Sequence, residues 1–438
     1  MNSRSNAYLK TLPGPADITR VELSNGITVL SRPNFSSPSV VLSGFMPVGS
    51  MYDPLDKLGL AHFTAVSLMR GTQQRTFQEI YNDLESVGAT LGFGASVHTT
   101  SFGGRSLAED LPLLLKLVNE ALSQPAFLEE HVERLRAQML TGLAIRAQDT
   151  ADMASLTFDE LVFPNHPYGR PEDGYTETIQ RITRQDLVDF HQKYFTPRGM
   201  VIVVVGGVDP QRAIDQVRET LGIWAPTLPL AEPALELPGV PPIQQTERRH
   251  ISLAGKSQTD LVMGSVGPRR GSPDYMPASL GNNVLGQFGM MGRIGDVVRE
   301  QAGLAYHAST SLNAWIAAGS WEVSAGVNPA NLKRAIDLIL DELRRFVREP
   351  VTQEELSDSQ DHFIGRLPLS LESNNGVAGA LINLERFQLG LDYYQRYIDL
   401  VSSVTPELIL ETARKYLDPE KMAIVSAGPK LSDGTNGA

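Results

Sequence analysis

The sequence predicts an α+β protein made of two homologous α/β sandwich domains, each an antiparallel-rich sheet with helices, joined by a proline-rich linker. An internal repeat is the first indication: "ITRQDLVDFHQKYFTPRGMVIVVVG" at 182–206 can be laid over "VTPELILETARKYLDPEKMAIVSAG" at 404–428, 222 residues later. The second is "APTLPLAEPALELPGVPP" at 225–242, whose six prolines predict an extended and stiff connection. A chain of 438 residues is also too long for one ordinary core.

These observations set the predicted domain boundaries at 1–224 and 243–438, with the linker at 225–242 between them. Both copies of the repeat contain a helix ending in Lys-Tyr, a proline, a methionine and a β-rich run that closes in glycine. A weaker similarity of layout, between 119–135 and 341–359, occurs in the same order at nearly the same offset. The two matches together favour duplication over chance.

The same order of elements is predicted in each half. In the first half "RVELSNGITVLSRP" is a hairpin signal with an Asn25-Gly26 turn, "SVVLSGFMPVGS" is a strand, and a helix follows around 58–70. Next come the helix "TFQEIYNDLESVG", a strand in "ATLGFGASVHTTSFGG" and the helix "DLPLLLKLVNEAL". The second half offers the strands "RHISLAG", "TDLVMGSVG" and "SWEVSAGV" and a helix at about 277–286. Strands in series before paired helices predict a sandwich in each half.

Composition excludes several classes of function. A hydrophobic content of 42% and a charged content of 20% predict a soluble globular protein. The net charge of −12 argues against nucleic-acid binding, and the absence of cysteine excludes disulfides, thiolate nucleophiles and zinc–thiolate sites. No apolar run approaches membrane-spanning length, and the N-terminus has no signal-like apolar region. We therefore expect a cytoplasmic protein, or a periplasmic one if a signal peptide has been removed.

The stretch "GLAHFTAVSLMRGT" at 59–72 predicts an amphipathic helix that carries one histidine, His62. Together with the hairpin, the linker and the duplicated half, it makes the chain resemble the pitrilysin/insulinase-type metallopeptidases, particularly the branch of mitochondrial processing peptidase and its small bacterial relatives. Members of this family have His-x-x-Glu-His on the helix, framed by Gly-x-Ala-His-Phe and Gly-Thr. Here the frame is present, but Ala65 stands at the catalytic glutamate position and Val66 at the second histidine position.

The third zinc ligand that the resemblance implies is a glutamate on a later helix, where this chain has Thr141 and Gly142. Two imidazoles at i and i+4 share one helix face and can chelate zinc, while the carboxylate beside them acts as base on the bound water. One histidine cannot hold catalytic zinc, so we expect no zinc in this chain and no activity from it alone. His62 is then a packing or hydrogen-bonding histidine. His98 could approach it, but no carboxylate partner is evident for a rebuilt site.

The second half contains "GQFGMMGRIGDVVREQAGLAYHASTSL" at 286–312, which closely resembles a family segment that carries a paired arginine and tyrosine. These map onto Arg299 and Tyr306. The resemblance implies that the pair hydrogen-bonds the substrate backbone and the developing oxyanion beside the zinc. Composition alone predicts instead a solvated helix arginine and a half-buried strand tyrosine.

The strand "ATLGFGASVHT" matches the family's substrate-binding strand, and Gly92 and Phe93 occupy its substrate-contacting positions. Family members bind a peptide by adding it as a strand to a sheet edge. The glycines at 88, 92 and 94 weaken a strand and permit close backbone approach. That pattern fits peptide binding, and it fits equally the decay of an unused site.

Three functions remain open at this point. The first is the zinc-less subunit of a heterodimeric zinc peptidase, in which a homologous partner with an intact His-x-x-Glu-His motif holds the zinc and this chain supplies Arg299 and Tyr306. The resemblance implies clamshell-like chains that enclose a cavity and take unfolded peptides. The alternatives are a catalytically inactive scaffold and a peptide-binding protein, both derived from the peptidase fold.

Overall fold

A computed structural model describes residues 12–225, 237–289 and 292–431. Within these residues the strands form two β-sheets, each packed against helices. The strands are β1 (Thr19–Glu22), β2 (Thr28–Pro33), β3 (Ser39–Met46), β4 (Thr90–Ala95), β5 (Thr100–Leu107), β6 (Val201–Gly206), β7 (Glu247–Ser252), β8 (Thr259–Gly267), β9 (Ala305–Ala314), β10 (Gly319–Val327) and β11 (Ala423–Gly428). The helices are α1 (Leu60–Ser67), α2 (Phe77–Ser86), α3 (Leu111–Ser123), α4 (Glu129–Arg146), α5 (Thr150–Val162), α6 (Thr176–Arg181), α7 (Arg184–Tyr194), α8 (Pro210–Thr220), α9 (Tyr275–Gly286), α10 (Gly292–Gly295), α11 (Leu332–Arg348), α12 (Gln353–Ser370), α13 (Asn374–Arg386), α14 (Tyr393–Ser402) and α15 (Pro406–Tyr416).

The two sheets share one topology. The first has the strand order β1-β2-β6-β3-β5-β4, and the second has the order β7-β11-β8-β10-β9. In each sheet one pair is parallel, β2 with β6 and β7 with β11, and the other pairs are antiparallel. The second sheet therefore reproduces the first without β1, as a duplication requires.

The repeat found in the sequence is also a structural repeat. Helix α7 and strand β6 begin and end 222 residues before α15 and β11. Thr183 and Thr405 cap the two helices, and each accepts a hydrogen bond from a backbone amide of the first turn. The equivalent strands β6 and β11 are buried along their whole length, because each lies inside its sheet.

The compact units of the structure are discontinuous in sequence. Among the described residues, one unit consists of 12–143, 171–225 and 367–396, and the other of 144–170, 237–289, 292–366 and 397–431. Helix α5, from the first half of the sequence, packs on β8 and β11, and helix α13, from the second half, packs on β3 and β6. Each fully buried central strand needs cover on both faces, and a helix from the other half supplies part of it. The two halves of the sequence on either side of the linker therefore each contribute one helix to the other half's sheet.

The local elements of the first half follow the sequence with one correction. Strands β1 and β2 pair as the predicted hairpin, and Gly26 has the positive φ of 86° that its turn needs. The stretch read as one strand at 89–104 is instead a second hairpin of β4 and β5, closed by a turn in which the amide of Ser96 donates to the carbonyl of Thr99 at 2.8 Å. His98 lies in that turn.

Two further features bear on the sequence expectations. Residues 226–236 of the predicted linker lie outside the described residues, and the remaining linker residues are in neither helix nor strand. No helix among the described residues is both long and apolar enough to cross a membrane.

Candidate functional site

Helix α1 is held at its first residues by a buried carboxylate. Gly59 precedes the helix with a φ of 95°, and the side chain of Asp53 accepts hydrogen bonds from the amides of Gly59 at 2.8 Å and Ala61 at 2.9 Å. A negative charge at this end of a helix also interacts favourably with the helix dipole. Asp53 is not among the residues that the sequence motifs predicted. The available signal was an acidic residue just upstream of a predicted helix start.

On α1, the residues at the positions of the family's glutamate and second histidine pack into the hydrophobic core. Ala65 is completely buried, and Val66 is partly buried against the hydrophobic core of the first sheet. Burial lowers the pKa of the half-buried His62 imidazole, and the charge of Asp173 only partly opposes this, so the neutral ring is favoured. At the positions of the family motif this helix face offers neither the carboxylate nor the second imidazole.

The third ligand position lies in the opposite environment. Gly142 is exposed on α4, and a Cβ added there would meet no heavy atom within 4 Å. Its neighbour Thr141 donates its hydroxyl to the carbonyl of Ala137 at 2.9 Å, within the same helix. No cluster of three or more histidine or acidic side chains suited to a metal ion occurs in the described parts of the chain.

Strand β4, which carries Gly92 and Phe93, forms an edge of the first sheet. In the described residues it pairs only with β5, and helix α1 packs beside it. Gly92 is exposed and lies opposite Gly103, and a Cβ at Gly92 would meet nothing within 4 Å. The ring of Phe93 instead packs on the core beside Phe102, with 6.1 Å between ring centroids. Such an edge can accept an extended peptide through its backbone.

Arg299 lies in an irregular helical turn. Helix α10 continues directly into a π-helical turn at Asp296–Gln301, a feature that is frequent at functional sites. The turn closes at Gly303, whose φ of 64° suits glycine and whose amide donates to the Arg299 carbonyl at 3.0 Å. The Arg299 side chain is 32% exposed, and its Nε lies 3.5 Å from the carboxylate of the neighbouring Glu300. This contact is at the surface and holds the guanidinium only weakly.

Tyr306 lies in a β-bulge on an edge strand. Along β9, Ala305 faces Val327 and His307 faces Gly326, so Tyr306 has no residue opposite it. Its side chain is 86% exposed, and its hydroxyl has no hydrogen-bond partner among the described residues. Bulges re-aim side chains and are common beside active sites. Tyr306 is therefore not the half-buried strand residue that composition alone predicts.

The site residues fall into two groups, one on each compact unit. His62, Ala65, Val66, Gly92, Phe93 and Gly142 belong to the first, and Arg299 and Tyr306 belong to the second. The second group offers a guanidinium and a phenol, both able to donate hydrogen bonds to a carbonyl or an oxyanion. Neither group contains a nucleophile paired with a base.

Two family models match consecutive parts of the chain. Residues 28–162 match the model described as insulinase (peptidase family M16), and residues 181–362 match the one described as the peptidase M16 inactive domain. The match at 181–362 includes the π-helical turn and Tyr306. The resemblance inferred from the sequence is thereby confirmed.

Relatives match over nearly the whole chain. A protein of Streptomyces coelicolor named an uncharacterized zinc protease is 25% identical over 427 residues, which cover 95% of this chain and 90% of the relative. The mitochondrial-processing peptidase subunit beta of Saccharomyces cerevisiae is 25% identical over 392 residues, 84% of this chain and 82% of that protein. A crystal structure of a peptidase M16 inactive domain from Pseudomonas fluorescens has a TM-score of 0.88 at 27% identity, and covers 95% of this chain and 98% of that one. The predicted fold class is confirmed.

Proposed function

The chain belongs to peptidase family M16, the insulinase family, and we propose that it is the zinc-less subunit of a two-chain zinc peptidase. A homologous partner with an intact His-x-x-Glu-His motif holds the zinc, and this chain supplies Arg299 and Tyr306. The observation that carries the proposal is the exposure of Tyr306 in its bulge, seven residues after an arginine in a π-helical turn. Neither side chain is needed to fill a core.

The chemistry follows from what each residue can donate. Zinc in the partner supplies an activated water for attack on the peptide carbonyl. The Arg299 guanidinium, always charged, and the Tyr306 hydroxyl donate hydrogen bonds to the oxygen that becomes negative as the carbonyl is attacked. Since this charge exists only in the transition state, such donors raise turnover rather than substrate affinity.

The open edge of β4 supports a role in binding the peptide. An extended substrate added beside β4 would bond to its backbone, and the absence of side chains at Gly92 and Gly94 lets another strand approach closely. Phe93 would act through its backbone, because its ring packs on the core. The same edge also supports the second candidate, a peptide-binding protein without catalysis.

The test is reconstitution. The chain is produced alone, a homologue with the intact motif is produced alone, and the two are co-expressed. Gel filtration, zinc analysis and cleavage of an unstructured peptide are then measured for each sample. We expect no stoichiometric zinc and no cleavage from this chain alone, and a zinc-containing, active complex from co-expression. Tightly bound zinc in the isolated chain, or a complex no more active than the partner alone, would refute the proposal.

A further inference from the structure

A buried ion cluster lies immediately before the π-helical turn. Arg293, on α10, donates from Nε and Nη2 to the two carboxylate oxygens of Glu355 at 2.7 and 2.6 Å. Its Nη1 lies 3.6 Å from Oε1 of Glu342. The side chains of Arg293, Glu342 and Glu355 are 11%, 4% and 30% exposed. These three residues are called the Arg293 cluster below.

The Arg293 cluster joins α10 to two core helices. Glu342 belongs to α11, and Glu355 lies in the first turn of α12, where it also accepts hydrogen bonds from the amide and hydroxyl of Thr352. The guanidinium lies 5.8 Å from the ring centroid of Phe346, another residue of α11. A bidentate arginine–carboxylate pair fixes orientation as well as distance.

The charges in the cluster depend on one another. Partial burial would raise the pKa of Glu355, but the bonds from Arg293 and Thr352 outweigh it and lower this pKa to about 2. Burial raises the pKa of Glu342, against the opposing charges of Arg345 and Arg293. Removing Arg293 would leave a buried carboxylate with less compensation, which is costly in a protein interior.

In the described parts of the chain, Arg299 has no anchor comparable to the Arg293 cluster. Among the described residues its Nε contacts only the adjacent Glu300, which moves with the same turn. The position of the Arg299 guanidinium therefore depends on where the backbone of 292–301 is held. Ile294 and Val298 anchor that segment by burying their side chains, and the Arg293 cluster supplies its directional contacts.

The geometry points to Arg293 as a positioning residue that sets the placement of the π-helical turn and, through it, of Arg299. This inference rests on the proposed function for its effect on catalysis, because it assumes that Arg299 acts on the transition state. The effect on the turn itself does not depend on that assumption. A small displacement of a catalytic group is enough to lower turnover strongly.

The first arm of the test measures the turn in the isolated full chain by hydrogen exchange with mass spectrometry. Arg293→Met removes the charge at similar length, and Arg344→Met is the matched control on the surface of α11. We expect amides of 296–304, including the Gly303 and Leu304 amides that close the turn, to exchange about 10- to 100-fold faster in Arg293→Met. Peptides from β10 and the middle of α11 should keep their rates, and Arg293→Lys should lie in between.

The second arm measures peptide cleavage in the reconstituted complex. Arg293→Met should lower kcat about tenfold with little change in KM, and Arg293→Lys should restore part of the loss. On an Arg299→Ala background the same change should have no further effect, because the group that it positions is gone. Equal losses on both backgrounds, or unchanged exchange at 296–304, would overturn the assignment of Arg293. If Arg299→Ala itself leaves turnover unchanged, the proposed function fails, and the exchange arm alone decides whether Arg293 places the turn.

Discussion

Helix α1 and the segment 292–306 belong to the two halves of a duplicated fold. The residues that match the family's site residues have opposite surroundings in these two regions. On α1, Ala65 is completely buried and Val66 packs on the core. In the segment 292–306, Arg299 keeps a third of its side chain in solvent and Tyr306 is 86% exposed. The first set of positions now contributes to folding, and the second contributes little.

The difference separates stability from function. Burial of apolar area is the main favourable term in folding, so Ala65 and Val66 are explained by the core alone. An exposed side chain in a bulge gains almost nothing from folding, and a π-helical turn replaces the regular hydrogen bonding of a helix. Under the proposed function, contact with another molecule would account for features that interrupt regular structure and bury little area.

The largest effect that we expect is on turnover, at Arg299. Arg299→Ala in the reconstituted complex should lower kcat about 100- to 1,000-fold, equivalent to about 2.7–4 kcal/mol, because it removes one donor to the developing oxyanion. The measurement is steady-state peptide cleavage at saturating substrate.

Two controls accompany this measurement. Complex formation by gel filtration and the zinc content of the complex should not change, and Arg344→Ala, which removes a surface arginine of α11, should cleave at the unmodified rate. Full activity of Arg299→Ala in an intact complex would contradict the proposed role of Arg299 in catalysis.

The second prediction restores the family's glutamates at two positions of the first unit, the buried Ala65 and the exposed Gly142. Ala65→Glu should lower the free energy of unfolding by about 1–3 kcal/mol, because it overpacks a fully buried site and brings a charge there. Gly142→Glu should be neutral or slightly stabilising, since the site is open and glycine in a helix costs about 1 kcal/mol relative to alanine. Urea unfolding of both variants checks this. Equal stability of the two would mean that α1 has not become part of the core.

Much of the fold could be predicted from sequence, because its signals are local. The hairpin of β1 and β2 depends on one Asn-Gly turn, and the repeat that marks α7 with β6 and α15 with β11 is visible as a shared pattern. The exchange of α5 and α13 between the two halves of the sequence could not be predicted. It depends on which face of a buried strand lacks cover, and that is a property of the assembled sheet.

The candidate site divides in the same way. The apolar replacements at Ala65 and Val66 are readable directly, and the Arg299–Tyr306 spacing follows from the family resemblance. The bulge at Tyr306 depends on the pairing of β9 with β10, and the Arg293 cluster joins residues 49 to 62 positions apart in sequence. Contacts at such separations leave no local pattern, so the sequence did not indicate them.

The third prediction concerns Asp53, whose carboxylate accepts hydrogen bonds at the start of α1. Asp53→Ala should lower the free energy of unfolding by about 0.5–2 kcal/mol, because the amides of Gly59 and Ala61 lose their acceptor. Asp53→Asn keeps one acceptor oxygen and should lose less. Urea unfolding of the isolated chain is the measurement. An unchanged midpoint in Asp53→Ala would show that α1 is fixed by packing alone.

The smallest expected effect is at the Tyr306 hydroxyl, and it separates hydrogen bonding from packing. Tyr306→Phe keeps the ring and removes one neutral donor, whose net contribution is about 0.5–1.5 kcal/mol, so kcat should fall roughly 2- to 12-fold in the complex. The stability of the isolated chain should not change, because the hydroxyl has no partner there among the described residues. Tyr306→Ala, which also removes the ring, then reports any additional contact with peptide or partner through KM or complex formation. If Tyr306→Phe destabilises the isolated chain while kcat is unchanged, Tyr306 contributes to stability and not to catalysis. Arg299 is then the only residue of the pair with a proposed catalytic role.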